Sequence, residues 1–317
     1  MRHRKVLIPY ICIFLLGTLS FAAPQGEPQA KKTNSGLAIT IIGGLAFIPG
    51  GDMKEWFDSE ARYYRWLGEQ SNYNTQSDYP FSHSAFLPGL EVECKITPQI
   101  GLSLGAGYFK KSWEPSSTVT YSYGGDLSID TLKQSFKREV TIVPVTITGM
   151  YIVPVHNKLD INLLAGLGYY ITDFSFSDEA TYSWPNAPEQ QNYQYTHSTA
   201  LKSSPGVLGF HFGAGLEIEL FSHVSMSIDV LYRIARVAKI KGNVDWKEST
   251  SWNNYQKSGS GKLDDQTLWH GKYTWAGTSY VRAAIDEIQP SWLEGARAFE
   301  FSLNGLALRA GIKIELW

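Results

Sequence analysis

A strand with one apolar wall and one charged wall has few places to go in a fold, and the C-terminal stretch of this chain is such a strand. Phe299 to Trp317 reads F-E-F-S-L-N-G-L-A-L-R-A-G-I-K-I-E-L-W. From Leu308 the alternation is strict. Leu308, Ala310, Ile312, Ile314 and Leu316 fall on one face, and Arg309, Gly311, Lys313 and Glu315 on the other, because successive strand side chains point to opposite sides of a sheet. An edge strand of a soluble domain would tolerate this pattern. Here the sequence ends on it with an aromatic residue and begins with a secretory leader. That combination points to a transmembrane β-barrel of a bacterial outer membrane.

The leader is read from Met1 to Ala22. Arg2, Arg4 and Lys5 make a basic start, Val6 to Leu19 is almost wholly apolar, and Ser20-Phe21-Ala22 supplies the small residues of a cleavage site before Ala23. The apolar run is short for a spanning helix and is interrupted by Pro9 and Gly17. Cys12 lies within the leader and Cys94 is the one cysteine after it, so no internal disulfide is expected. Without the three basic leader residues the balance is 25 basic against 30 acidic, which gives no reason to expect nucleic acid as a partner. No later stretch reaches the roughly 20 apolar residues of a helical span, so a membrane crossing has to be made by a closed barrel.

Eight segments alternate. They are Leu37–Phe47, Phe86–Ile96, Ile100–Tyr108, Val140–Ile152, Leu159–Tyr169, Phe210–Leu220, Val224–Tyr232 and the C-terminal segment. Each is close to the roughly ten residues of a tilted barrel crossing. Their connectors are the stronger signal. Three are short: Thr97-Pro98-Gln99, the stretch around Pro154 to Lys158, and Phe221-Ser222-His223. The other four run to about 35, 30, 40 and 65 residues, and long alternates with short. Short periplasmic turns and long extracellular loops give that pattern, whereas long structureless loops are rare in compact soluble domains. The parity places both mature termini in the periplasm. Phe47, Tyr108, Tyr151, Tyr169 and Tyr232 are expected at the loop ends of the apolar faces, and Phe221 and Trp317 at the turn ends, as two interfacial girdles. Ten strands would require another crossing within the last connector, where no apolar alternation supports one.

The other face points inward. It carries Glu91, Glu93, Lys95, Asp160, Glu217, Glu219, Asp229, Arg233, Arg309, Lys313 and Glu315. An eight-stranded barrel is wide enough only for side chains to fill it, and unpaired buried charge is costly. The expectation is a salt-bridged plug with Arg309, Lys313 and Arg233 facing the carboxylates. The alternative is an ion path lined by the same groups. Inward glycines at 105, 107, 166, 168, 213 and 215 leave some space for it.

In the connectors, Asp52 to Gln70 reads as a helix, capped by Asp52 and ended near Gly68. Met53, Trp56, Phe57, Tyr63, Tyr64 and Leu67 lie roughly on one side, which suits a lid packed over the barrel mouth, with a helix lying on the outer leaflet or binding a partner as the alternatives. The last connector holds Trp246, Trp252, Trp269, Tyr273 and Trp275, and Lys262–Thr274 is expected to pair with Val244–Ser251 as a hairpin. The histidines after the leader (83, 156, 197, 211, 223 and 270) show no metal-ligand spacing, and there is neither nucleophile elbow nor phosphate loop. His223 and Ser225 share a face but at the turn end. His83-Ser84 is at the loop end without an evident third partner, so no enzyme and no cofactor are expected.

On these residues the chain resembles the small eight-stranded outer-membrane barrels, the group of the OmpA transmembrane domain and the OmpX and OmpW types. The resemblance covers Leu37 to Trp317. Its most specific part is the C-terminal assembly signal, matched by Arg309, Gly311, Ile314 and Leu316, with Trp317 one residue beyond it. The stretches G-F-H-F-G-A-G-L-E-I-E-L and L-L-A-G-L-G-Y-Y are similar to strands of the group. The resemblance implies Sec export, periplasmic chaperones, the barrel-assembly machinery and outer-membrane lipids as partners, and it fixes no activity. Passage of small hydrophobic compounds, associated with OmpW types, fits the charged inward face poorly. The expected organisation is leader 1–22, polar tether 23–35 and one all-β domain, 36–317: an antiparallel up-and-down barrel. Two roles stand open, a closed structural or surface-interaction barrel and a narrow channel or carrier for small molecules. No partner for the loops is named by the sequence.

Overall fold

The computed structural model describes residues 36–316, except 71–72, 79–80, 123–128, 188–189, 239, 241–242, 251–255, 262–266, 276–277 and 287–293. The leader, the tether, Trp252 and Trp317 lie outside the described residues. The described chain is almost wholly antiparallel β-structure with one helix.

The strands that matter most are β1 (Leu37–Phe47), β2 (Gly89–Lys95), β3 (Ile100–Gly107), β4 (Ile129–His156), β5 (Leu159–Ala187), β6 (Gly206–Phe221), β7 (Val224–Ile234) and β8 (Gly305–Glu315). Each pairs antiparallel with its neighbour in this order, β1 with β2, and so on to β7 with β8. β8 then pairs back onto β1, with Ile312 opposite Ile41 and Ile314 opposite Ile39. The ladders therefore trace a closed path, which leaves its strands without a free edge.

Burial in this ring is inside out. Ile41, Leu104, Ile147, Leu167, Phe210, Leu308 and Ile312 are exposed on the outer wall, Phe210 at 62%. Thr40, Glu91, Glu93, Asn162, Glu217 and Lys313 are buried within, Lys313 at 2%. A ring placed in water would hide the first set and expose the second. The expected girdle is half kept. Phe47, Tyr108, Tyr169, Tyr232 and Phe221 are exposed. Tyr151, expected at the loop end, instead lies opposite Ile100 and Leu163, near the short turns. β4 runs from the long connector down to the turn, so its aromatic falls at the other rim.

The long connectors are folded, not structureless. β4 and β5 continue well past the expected Val140 and Tyr169, and their ladder still pairs Thr131 with Ser183. Val140, Phe174 and Phe176 keep one side of this extension buried. Gln190–Ser203 adds to β5, Asn243–Thr250 to that strand, and Gln256–Gly261 to the next. On the other flank Ser116–Ser122 adds to β4, and Tyr73–Asp78 to Ser116–Ser122. The result is an open sheet standing on one end of the ring, here called the wall. Among the described residues, the expected pairing of Lys262–Thr274 with Val244–Ser251 is not made. Val244–Ser249 takes the nearer Gln256–Gly261, and Thr267–Trp275 pairs with Thr278–Asp286. Closing the shorter loop costs less chain entropy.

Two expected strands are broken. Pro88, which has no N–H to donate, separates Ser84–Phe86 from β2. At the C-terminus Glu300–Ser302 pairs with Arg236–Ala238, and β8 begins only at Gly305, whose φ of 157° is open to glycine.

The helix α1 (Asp52–Gly68) is entered through Gly50 (φ 79°) and Gly51 (φ 58°), a left-handed pair that turns the chain from β1 inward. Asp52 does not cap it, contrary to the sequence reading. Gly51 holds the cap position, and the Asp52 carboxylate is engaged elsewhere. Met53, Trp56, Phe57, Tyr64 and Leu67 are buried, so the helical spacing was legible. Met53, Trp56 and Phe57 join Ile48, Phe109, Trp113, Phe174, Phe299 and Phe301 in a hydrophobic core at the loop end of the ring. Phe81 stacks on Trp113 with centroids 5.2 Å apart, and both stand edge-on to Phe57.

Candidate functional site: the lumen and its cap

Inward parity gathers the charges of four strands, β2, β6, β7 and β8. Arg309, at the middle of β8, donates to Glu91 of β2 at 2.5 Å and to Asp229 of β7 at 2.9 Å. One turn of the alternation away, Lys313 lies 2.5 Å from Glu93 of β2 and 3.0 Å from Glu217 of β6. Each cation thus ties two carboxylates on either side of it. Nearer the short turns, Lys95 donates to Glu315 at 2.9 Å. Neutral groups complete the shell. Thr40 donates to Glu93 at 2.7 Å and Asn162 to Glu217 at 3.2 Å, while Thr148 and His211 share a 2.8 Å contact across β5. Such geometry is what makes buried charge tolerable, because mutual attraction and hydrogen bonding offset the lost hydration.

The structure thus brings together Glu91, Glu93, Glu217, Asp229, Arg309 and Lys313, with Lys95 and Glu315 below them. Asp160 and Glu219 lie half-buried closer to the turns. Arg233 departs from the expectation. It faces no carboxylate among the described residues. Its Nε donates to the Leu303 carbonyl at 2.7 Å, and its guanidinium lies over the rings of Phe109 and Tyr170, at 5.3 and 5.7 Å. β7 carries it past the ionic layer to the lower edge of the aromatic core, where ring faces replace carboxylates.

The inward glycines, expected to leave space, do not. A Cβ on Gly215 would stand 2.0 Å from the Asp229 carboxylate, and one on Gly166 2.7 Å from His211 Nε2. Their missing side chains are filled by neighbours. Between the ionic layer and the core lies a cavity of ≈ 60 Å³, lined in part by Glu91, Tyr170, His211, Arg233 and Arg309. That is space for about a few waters.

Above it sits the cap. Arg138, 1% exposed, donates to the Ser177 carbonyl at 3.0 Å, pairs with Asp178, and lies 4.4 Å from the Trp56 ring of α1. At the helix start Arg297 grips Asp52 with two 2.6 Å bonds, and the Glu300 N–H adds a third at 2.7 Å. The bonds it donates to the Asp52 carboxylate hold the Arg297 guanidinium above its usual pKa. Sequence reasoning missed Arg138, Asp52 as a latch, and Thr40, Thr148, Asn162 and Tyr170 as lumen partners. Inward parity alone would have found Thr40, between Ile39 and Ile41. Nothing local marks Arg138.

Of the terminal signal residues, Ile314 and Leu316 are exposed outward, Arg309 points into the lumen, and Gly311 abuts Thr40 and Ser227. Of the His–Ser pairs, His223 is exposed in its turn at φ 70° while Ser225 is buried in the lumen. His83 lies 3.3 Å from the Ile48 carbonyl and edge-on to Phe81.

No family model matches the sequence, and no curated protein matches it. Among solved structures, the chain is similar to a major outer membrane protein from Thermus thermophilus. The match has 13% identity and a TM-score of 0.34, and covers 88% of this chain and 99% of that one. It is also similar to the outer membrane protein OprG from Pseudomonas aeruginosa, at 10% identity and a TM-score of 0.35, over 89% of this chain and 97% of that one. Likenesses this distant decide nothing about activity, which has to rest on the chain's own geometry.

Proposed function

We propose that this chain is an integral outer-membrane protein: an eight-stranded transmembrane barrel with a closed lumen, acting through the folded wall that its long connectors build outside the cell. The observation that carries the reading is the inside-out burial of the ring. Thirty or so ångströms of hydrocarbon is the one medium in which an outer wall of Ile, Leu and Phe and an inner wall of Glu, Arg and Lys are both at home. The alternation of short and long connectors supports a reading with both mature ends in the periplasm and the wall outside. The leader before Ala23 is read as removed on export, with periplasmic chaperones and the barrel-assembly machinery as the partners of insertion and outer-membrane lipids as the final solvent. No catalytic role and no cofactor are assigned.

The lumen is read as closed, not conducting. Two ionic layers tie β6, β7, β8 and β2 together, the glycine gaps are filled, and an aromatic core with α1 covers the loop end. This supports a structural or surface-interaction role over the channel or carrier. The test is single-channel conductance of the refolded mature protein in a planar bilayer. Silence from protein whose folded state is verified by heat-sensitive gel mobility is the expected result. Reproducible steps that change size in Arg309→Gln or Glu217→Gln would mean an open path and reverse the choice of role.

A further inference from the structure

The outer face of the wall holds a groove of ≈ 1090 Å³. Its floor is made of small residues at matched positions. Ser177 lies opposite Ala200, and Ser198 opposite both Glu179 and Lys247. Lys137, opposite Ser177, forms one bank, and Asp245, opposite Ala200, the other. Directly opposed residues share a face. The alternate residues Phe174, Phe176, Leu201 and Val244 are in the core, so this face is the one turned away from the barrel axis.

Position along the strand narrows what can fill the groove. On β5 the same face runs Leu167, Tyr169, Ile171, Asp173, Ser175, Ser177, Glu179, and its exposed apolar part ends at Ile171. Six residues separate Ile171 from Ser177, about 20 Å of strand, or roughly 15 Å along the axis after a barrel tilt of about 40°. The polar layer of a phospholipid leaflet reaches only about 5–8 Å past the hydrocarbon. The groove opens sideways over the leaflet but beyond the reach of phospholipid headgroups. An occupant anchored in that leaflet has to extend past the phospholipid headgroups to reach it. Charge narrows it again. Lys137 and Lys247 stand among three carboxylates, Glu114, Glu179 and Asp245, with Glu114 3.8 Å from Lys137, while Asp178 is held by Arg138. A floor of hydroxyls between charges of both signs, with one carboxylate in excess, suits a chain of sugar hydroxyls, which donate to carboxylates and accept from lysines, better than a run of phosphates.

We infer that this groove binds the sugar chain of an outer-leaflet glycolipid, fixing the wall against the surface of its own membrane. The inference rests on the outer-membrane reading above. It is tested with the mature protein in phospholipid nanodiscs, titrated with lipopolysaccharide that carries core sugars and with lipopolysaccharide trimmed to its lipid part plus inner acidic sugars. The variants are Ser177→Trp and Ala200→Trp, which fill the floor, and Ser222→Trp in a short turn as the control. The expected result is at least tenfold tighter binding of the core-bearing form. That preference disappears in both groove variants and persists in Ser222→Trp. Equal binding of the two lipids by inserted, folded protein overturns the inference alone, as does a preference that both groove variants retain. A soluble core oligosaccharide that binds as tightly as the intact glycolipid would overturn the membrane source and leave a free-glycan site. A chain that does not insert into a bilayer overturns the outer-membrane reading and the inference with it.

Discussion

The lumen and the cap are two interiors of the same β-structure, stacked one on the other, and they are built on opposite rules. In the lumen, Arg309 and Lys313 each bind two carboxylates, and the apolar side chains of the same strands face out. In the cap, Phe174, Phe299, Phe301 and Met53 fill the inside, and the charged groups buried with them, Arg138 and Asp52, are each held by a partner at its edge. The switch occurs within single strands. β5 has Leu167 outside and, farther up, Phe174 and Phe176 inside. On the outer-membrane reading proposed above, what changes between the two levels is the surrounding solvent. A wall facing hydrocarbon gains nothing by hiding leucine, so the interior can hold the polar groups. A wall facing water recovers the ordinary hydrophobic arrangement.

The comparison breaks most decisively at Lys313. Lys313→Met leaves Glu93 and Glu217 buried without their cation, and the expected cost is about 3–5 kcal/mol. Urea unfolding from lipid vesicles measures it. Replacing the cation and both carboxylates together with Met and Gln should recover most of the loss, since the penalty lies in the orphaned charge more than in the missing pair. A cost below about 1 kcal/mol for Lys313→Met alone would mean that water or ions reach this layer, and the lumen would not be closed.

The cap should answer to volume, not charge. Phe57→Ala removes a ring packed against Phe81 and Trp113 and should cost about 3 kcal/mol. The loss should be local. Hydrogen exchange is expected to rise in α1 and the wall and stay slow in β6, β7 and β8. Equal loosening of the ring would mean that cap and lumen fold as one unit and that the contrast between them is only compositional.

How much of this was legible depends on the solvent as well. The ring strands were readable because their outer wall repeats exposed apolar residues at every second position, as in Leu308 to Leu316. The helix was readable from the spacing of Met53, Trp56, Phe57, Tyr64 and Leu67. The upper halves of β4 and β5 were not. There the outward residues are Ser, Lys and Glu, and several inward ones are Thr or Gln, so period two fades although the ladder continues. The carboxylate partners of Arg309 and Lys313 followed from parity. Arg233 did not, because parity gives the side and not the height, and at its height the neighbours are Phe109 and Tyr170. The inward glycines misled for a related reason. A missing side chain marks a void only if no neighbour occupies it, and Asp229 and His211 do.

The outer wall offers a sharper version of the same contrast. Leu308→Arg puts a cation on the lipid face and should cost about 2 kcal/mol or more, depending on depth. Ser135→Arg, on the water-exposed face of the wall, should stay within about 0.5 kcal/mol. Equal effects would remove the argument that the two levels face different media.

The smallest effect is expected where cap and connector are joined by charge. Asp52 is buried at the start of α1 and accepts three bonds, two from Arg297 and one from the Glu300 N–H. Asp52→Asn keeps the size and one acceptor but loses the charge that holds both donors. Hydrogen bonds to a charged group are worth about 1.5–3 kcal/mol, and partial exposure of Arg297 screens this one, so about 1 kcal/mol is expected. Because Gly50 and Gly51 already supply the bend, the loss should not move the helix start. It should loosen the connector strand Glu294–Ala298, and proteolytic nicking near Arg297 should become faster while the lumen remains silent in conductance. Were channel steps to appear in Asp52→Asn alone, the latch and not the ionic plug would be what closes the barrel, and the lumen charges would have to be reread as the lining of a path.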